Sequence, residues 1–579
     1  HNLGILPQIL DLRGGGVDTT SPRHGGELVA EVLRAHGVQF IFTLPGGHIS
    51  PVLVACEKIG IRVVDTRHEA TAVFAADAVS RLSGRIGVAV VTAGPGVTNA
   101  VTAVKNAQMA ESPLLLLAGA AARLQKGRGA LQAIPQVPLL RPLCKSCVSV
   151  GSVRRLVPVL RRALATAAGG TPGQRDPCPE FPKFPKEFPK KPPENSQIST
   201  KNPQKSRYLR QYLADVFAGA WEPRELSPLP VSVPRASPRE VRVRAKNPKR
   251  CQRPRSVPSS ALQSLGVPCY LGGAARGLLP PECPLLLRHN RRQALRDADL
   301  VLLAGTVCDF RLSYGRLFGR GAAVVAVNRD RAQLRLNADV FWTPRLAVHG
   351  DPAALLVALA RSLPGLPSPR EWLRRLREAE EEREAMAAVS PPRHLNPLAL
   401  LLALDRLLSP RSLLVADGGD FVATAAYSVR PRRPRAWLDP GPFGTLGVGG
   451  GFALGAKLCR PEAEVWILYG DGSLGFSLME FDTFVRHKVP VITLVGNDAG
   501  WTQISREQLP LLGSAVGCSL SYSDYHAVAT ALGGRGFVLD SDRVVAVLRA
   551  AQAECHRGHP VLVNALLGPS DFRQGSVSV

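Results

Sequence analysis

The chain has 579 residues, with 72 Lys+Arg against 46 Asp+Glu and a formal net charge of +26. Hydrophobic residues make up 45%, which excludes a wholly disordered or fibrous chain and leaves room for three or four domains of roughly 150 residues. So basic a chain invites a nucleic-acid binder, yet residues 171–260 alone hold 19 Lys+Arg against 8 Asp+Glu and 17 of the 49 prolines. The excess is local, and no nucleic-acid partner is expected.

In chain order, residues 27–36 predict an amphipathic helix stopped by Gly37. Apolar runs at 39–42, 61–64, 86–91 and 114–117, spaced by helix-length segments, predict a parallel sheet covered by helices. Cys144 and Cys147 form an isolated CxxC without a second pair, so ordinary thiols are expected ahead of a metal or redox site. From Thr171 the prolines of PCPEFPKFPKEFPKKPPENSQISTKNPQK leave no helical or strand period, and a second basic, proline-rich stretch covers 233–258. Strands are expected again at 299–304 and 322–327. Residues 370–387 predict a highly charged, solvated connecting helix. A last α/β region follows, with strands at 412–416, 465–468, 491–495 and 561–566. The expected architecture is α/β, three parallel-sheet domains and irregular basic insertions. Its bounds are 24–172, an irregular 173–260, 261–365, a linker at 366–393, and 394–579. No run of 18 apolar residues spans a membrane.

The chemistry concentrates at strand ends. Gly470-Asp471-Gly472-Ser473 follows the strand EVWILY, and Asn497 ends the strand VITLVG 26 residues after Asp471. A carboxylate and an amide oxygen on neighbouring strand ends suit one hard cation, which Mg²⁺ commonly shares with phosphate oxygens. The glycines let backbone N–H groups approach a diphosphate, and a helix after Ser473 would point its positive end there. Far upstream, Glu69 in Arg67-His68-Glu69-Ala70 opens the apolar helix ATAVFAADAVSRLSG. A carboxylate buried in that way is costly unless something donates to it.

These features, with Ala93-Gly94-Pro95-Gly96-Val97-Thr98-Asn99 and Gly444-Thr445-Leu446-Gly447, resemble thiamine diphosphate enzymes of the acetolactate synthase superfamily. Segments such as FTLPGGHISP, AGTVCDFRLSYGR, DGGDFVATAA and GNDAGWTQISREQLP resemble its 2-hydroxyacyl-CoA lyase branch, over 24–172, 208–240 and 262–579. The resemblance implies thiamine diphosphate and Mg²⁺ as cofactors. Asp471, Asn497 and the Ala499 carbonyl are then the metal ligands. Pro95, Asn99, Gly419, Asp420, Gly470, Gly472, Ser473 and Leu474 become cofactor-binding residues, and Leu446 an apolar wedge beneath the cofactor. Glu69 becomes the catalytic residue at a pyrimidine nitrogen. The family pairs such a Glu and such an Asp across subunits, so a homodimer or homotetramer is implied.

The implied reaction cleaves a 2-hydroxy fatty acyl-CoA to formyl-CoA and an aldehyde one carbon shorter, a step of fatty acid α-oxidation. His48, Gln132, Gln136 and Trp501 lie where the family lines its substrate pocket. Gln132 and Gln136 read equally as loop amides, His48 as a turn residue and Trp501 as core. Acetolactate-type joining of 2-oxo acids is the alternative, disfavoured by the lack of a flavin signature. A basic binding protein that has lost catalysis is the other alternative, and it would be expected to lose one of Glu69, Asp471 and Asn497. The resemblance also implies an endoplasmic reticulum membrane location through an N-terminal helix, which residues 1–23 do not contain.

The chain departs from the family where its first domain should close with a strand and its middle domain should open with one. The sequence there runs into Lys/Pro-rich stretches instead. Three explanations stand: non-coding sequence carried into the chain, a true insertion, or a basic tether for anionic lipid or nucleic acid.

Overall fold

The computed structural model describes residues 24–122, 125, 127–170, 222–231, 257–389, 391, 393–540 and 543–573. They form two compact bodies, one of 24–65 with the described part of 86–231, the other of 66–85 with the described residues from 257 onward. The segments expected to lack a strand lie almost wholly outside the described residues.

In the first body, strands β1 (Phe40–Thr43), β2 (Arg62–Asp65), β3 (Gly87–Val91) and β4 (Leu114–Ala118) form a parallel sheet in the order β2-β1-β3-β4. Each lies within a residue or two of its expected run, because a parallel strand covered on both faces reads as a short, continuous apolar stretch. The Gly25–Ala35 helix packs Leu28, Val32 and Leu33 against Ile41, Val88 and Val90, and Leu160 and Leu164 of the Leu156–Ala168 helix join them.

The second body holds two groups of sheets. β5 (Cys269–Tyr270) pairs with β6 (Leu286–Leu287), and β7 (Leu300–Ala304), β8 (Ala323–Asn328) and β9 (Leu346–His349) form a parallel trio. The larger sheet contains β10 (Ser412–Asp417), β11 (Trp437–Leu438), β12 (Glu464–Gly470), β13 (Ile492–Asn497), β14 (Arg535–Leu539) and β15 (Val561–Leu566). Its order is β11-β10-β12-β13-β15-β14, all parallel. The chain leaves β10 toward β11 and returns to β12 on the other side, so the sheet reverses direction between β10 and β12. Open α/β sheets bind ligands at the carboxyl ends of such a reversal. Among the described residues no helix is long and apolar enough to cross a membrane.

The charged helix Arg370–Glu384 differs from the expected solvated connector. Its Leu376 and Glu380 are buried, and the Glu380 carboxylate accepts from the backbone N–H groups of Arg288 and His289. His289 and Arg288 beside it hold the Glu384 carboxyl down to about 2. Charge density concealed a narrow docking stripe.

The helix that carries Glu69, Glu69–Ser83, belongs to this second body although β2 and β3, its neighbours in sequence, belong to the first. It crosses the Val448–Cys459 helix, sequence VGGGFALGAKLC, at very close range. A β-carbon on Gly451 would lie 2.5 Å from Phe74 Cβ and 2.7 Å from Thr71 O, and one on Gly455 would run into Ala75 O. Each glycine costs a helix about 1 kcal/mol relative to alanine. Here that cost admits backbone-to-backbone contact. Phe74 and Phe452 meet edge to face at 5.8 Å, and Arg81 locks the far end through Asp77 (2.7 and 2.8 Å) and Asp439 O (2.7 Å).

Gly455→Ala should therefore force the two helices apart and cost about 1–3 kcal/mol. Thermal unfolding should show a clearly lowered midpoint. Gly321→Ala, where a β-carbon meets nothing within 4 Å, should change stability by less than about 0.5 kcal/mol.

Candidate functional site

The expected site residues of the second body converge at the carboxyl ends of β10, β12 and β13. Register places Asp417 opposite Tyr469 and Gly470 opposite Gly496, so the loops after these strands are immediate neighbours. Their backbones touch: a β-carbon on Gly418 would lie 2.7 Å from Gly470 N and 3.1 Å from Ser473 Oγ. Ser473 Oγ donates to Asp417 O at 2.5 Å and to Gly470 O at 2.9 Å. Gly419 and Asp420 open the Asp420–Ser428 helix, whose first N–H groups have no partner within the helix. Residues 471–474 form only a four-residue turn, so the longer helix expected after Ser473 is absent and its dipole contributes little there.

Asp471 is buried. Its Oδ1 accepts from Gly472 N at 2.8 Å and its Oδ2 from Gly500 N at 3.1 Å, while burial pushes its carboxyl up to about 6. Asn497 is held by its amide nitrogen, which donates to Asn564 Oδ1 (3.1 Å) and Ser523 O (3.3 Å). Its oxygen is thereby turned the other way, where Ala499 N reaches it at 3.3 Å. Ala499 has φ +53°, a left-handed backbone uncommon outside glycine, and its carbonyl accepts from Leu520 N at 2.8 Å. One carboxylate, one amide oxygen and one carbonyl thus share a single loop system. Among the described residues no three His, Cys, Asp or Glu side chains form a metal-holding group, so any cation here rests on this mixed oxygen set. Trp501 is not plain core: it is half-exposed, and its ring stands where a β-carbon on Gly472 would lie, 2.5 Å away.

Two acidic side chains, Asp498 and Asp417, went unremarked in the sequence, and that of Asp420 was given no role. Asp498 is pushed up to about 7 by burial, with Thr502 bonded to it and Asp471 and Asp420 nearby. Asp420, read only for its backbone, carries a two-pronged ion pair to Arg506 at 2.9 and 3.0 Å. Asp417, fully buried, accepts from Gly447 N (3.2 Å) and Gly449 N (2.7 Å), and burial raises its carboxyl to about 7. It ties the end of β10 to the first turn of the Val448–Cys459 helix, directly after Leu446. Its signal was its place in Asp417-Gly418-Gly419-Asp420, at a strand end.

Glu69 is also buried, as its apolar neighbours required, and begins its helix behind His68, whose Nδ1 accepts from Ala70 N at 3.0 Å. In the first body, the remaining residues gather at the carboxyl ends of β3 and β4. Gln136 accepts from Gly94 N at 3.0 Å and donates to Gly119 O at 2.9 Å, so its amide ties the Gly94-Pro95-Gly96 turn after β3 to the end of β4. His48 Nδ1 lies 3.3 Å from Thr92 Oγ1, and Gln132, with φ +60°, packs its backbone against Gly94. Pro95 begins the Pro95–Met109 helix, and Asn99 lies on its exposed first turn. Cys144 is a free thiol pushed up to about 12 by burial, which does not suit a reactive pair with Cys147.

Two family models match the chain: the thiamine pyrophosphate enzyme N-terminal TPP binding domain over 23–139, and the C-terminal TPP binding domain over 417–565. Over 611 aligned positions the chain is 56% identical to "2-hydroxyacyl-CoA lyase 2" of Danio rerio, covering all of this chain and 96% of that protein. The chain belongs to the thiamine pyrophosphate enzyme family. The Homo sapiens "2-hydroxyacyl-CoA lyase 2" is 55% identical, across all of this chain and 95% of that protein. "Acetolactate synthase large subunit IlvG" of Mycobacterium tuberculosis is 33% identical, over 94% of this chain and 96% of its own length. The family's two binding domains thus coincide with the Glu69 half and the Asp471–Asn497 half of the chain.

Asp417→Ala should strand two buried N–H groups at the Leu446 turn, at about 1–3 kcal/mol each. The expected result is weaker thiamine diphosphate binding by isothermal calorimetry, with a lowered unfolding midpoint.

Proposed function

We propose that this protein is a thiamine diphosphate- and Mg²⁺-dependent lyase that cleaves 2-hydroxy fatty acyl-CoA. The observation that carries the reading is that the Asp471 and Asn497 oxygens both bond the loop after β13, at Gly500 N and Ala499 N, next to the glycine cradle of β10 and β12, in a chain that also buries Glu69. Full-length relatives named 2-hydroxyacyl-CoA lyase 2, at 55–56% identity, supply the substrate class.

The residues fit the cofactor. Asp471, Asn497 and the Ala499 carbonyl would hold Mg²⁺ with hard oxygen ligands, and the cation would draw the Asp471 carboxyl back to its ionised form. Backbone N–H groups around Gly419, Asp420, Gly470, Gly472, Ser473 and Leu474 would take the diphosphate, since the close approach of Gly418 to Gly470 leaves no side chain over the cradle. Leu446, fixed by Asp417 through the turn that follows it, would support the cofactor from below. Pro95 and Asn99 would contact its pyrimidine end.

When bound, thiamine diphosphate supplies an electron sink that no side chain provides. Glu69 would hold a hydrogen bond to a pyrimidine nitrogen and set the protonation there. We assign substrate contact to His48, Gln132, Gln136 and Trp501. The C1–C2 bond of the acyl-CoA breaks, the 2-hydroxyl proton leaves as C2 becomes the carbonyl of the shorter aldehyde, and a proton arrives at C1 to give formyl-CoA. No oxidant is consumed. Pairing of Glu69 with the Asp471 loop of a second copy, in a homodimer or homotetramer, completes the reading.

Purified protein should gain melting temperature with thiamine diphosphate only when Mg²⁺ is present; no gain would sink the proposal. Incubation with a 2-hydroxyacyl-CoA should release formyl-CoA and the shortened aldehyde, whereas acetolactate from pyruvate alone would favour the carboligase reading. Glu69→Gln should cut turnover by at least about 10²-fold, within the range for a lost proton-transfer group, while Mg²⁺-diphosphate binding persists.

A further inference from the structure

We propose that Glu480 is a positioning residue for Glu69, an inference that rests on the functional reading above. Glu480 lies nine residues after Asp471 and opens the short Glu480–Arg486 helix, yet its side chain turns inward and is 1% exposed. A carboxylate so placed must be compensated by donors. Its two oxygens sit 3.1 and 3.2 Å from Arg67 N, which donates to both, and Oε2 also accepts from Thr483 Oγ1 at 2.7 Å. Burial raises its carboxyl, and the neighbouring Thr71 hydroxyl partly offsets that.

Arg67 and Thr71 bracket Glu69, two residues before and two after. One carboxylate therefore bonds the turn in which Glu69 enters its helix on one side, at Arg67 N, and faces Thr71 on the other. Every named partner is a donor, which suits the acceptor-only ionised form. The space for this grip comes from Gly450, where a β-carbon would lie 3.1 Å from Glu480 Cγ. A second, exposed tether runs alongside, from Arg67 Nη1 to Asp482 Oδ2 at 3.4 Å, and contributes little in water.

Glu480 makes none of the contacts described for the Asp471–Asn497–Ala499 oxygens or for the Gly418–Gly470 approach. It acts on Glu69 through chain geometry alone. Reach therefore matters more than charge. Glutamine can still accept from Arg67 N through its oxygen and donate to a threonine hydroxyl, which can rotate to receive it. Aspartate keeps the charge but falls one methylene short of the bracket.

The test uses the full-length protein, its magnesium and thiamine diphosphate, and the variants Glu480→Asp and Glu480→Gln. Glu480→Asp should lower kcat by 10- to 100-fold with KM nearly unchanged, since misplacing a reacting group by about 1 Å can cost 10²-fold. Its calorimetric Kd for thiamine diphosphate should stay within threefold of the parent. Amide hydrogen exchange in peptides spanning 66–72 should accelerate at least tenfold. Glu480→Gln should recover most of the turnover and of the amide protection.

Wild-type kcat in Glu480→Asp overturns the proposal, and so does a cofactor affinity that falls in step with kcat, which marks a merely structural role. Unchanged amide exchange across 66–72 overturns it independently of activity. If the parent protein binds no thiamine diphosphate, the functional reading fails instead, while the exchange measurement still decides whether Glu480 holds the Arg67–Thr71 turn.

Discussion

The crossing of the Glu69–Ser83 and Val448–Cys459 helices is the contact on which the second body depends. Gly451 and Gly455 forgo side chains so that the two backbones can meet at Thr71 and Ala75. Hydrophobic area alone does not demand such an approach. Because the contact is backbone to backbone, it leaves no rotamer to absorb error, and a single added methyl must move a whole helix. It also explains why a helix flanked in sequence by strands of one body is part of the other. The partner helix begins immediately beyond Leu446 and is capped by Asp417 from β10, so one rigid crossing carries both the glutamate segment and the turn before the glycine cradle.

Around that crossing the protein buries several carboxylates, each at a desolvation cost and each met by donors. Asp417 and Asp471 take backbone N–H groups from loops that would otherwise leave them unpaired. Asp420 takes Arg506, and Glu480 takes Arg67 N and the Thr483 hydroxyl. Burial raises the carboxyls of Asp417, Asp471, Asp498 and Glu480. Groups raised in this way respond strongly to a nearby cation or hydrogen-bond donor.

Much of this was legible before folding. The strands at 86–91, 114–117, 412–416 and 561–566 announced themselves because a doubly covered parallel strand has no polar face to disguise it. Asp471 and Asn497 were legible because each stands at a strand end beside a glycine, on strands one crossover apart. The Arg370–Glu384 helix was misread, since Leu376 and Glu380 are too few to alter the charge pattern that hides them. β9, β11 and β14 were missed because they are short or half-exposed at the margins of their sheets.

The sequence by itself determined the chemistry: a carboxylate, an amide and four glycine-rich turns in an order that marks the family. It also placed +11 of the +26 net charge in a proline-rich stretch unfit for a core. Only the tertiary structure decided which atoms are held and by what. Asn497 is aimed by Asn564, Leu446 by Asp417, and the turn of Glu69 by Glu480, which follows it by more than four hundred residues. Local propensity cannot encode such pairs. Each is a hydrogen bond whose partner becomes near only after the sheet and the glycine crossing have formed.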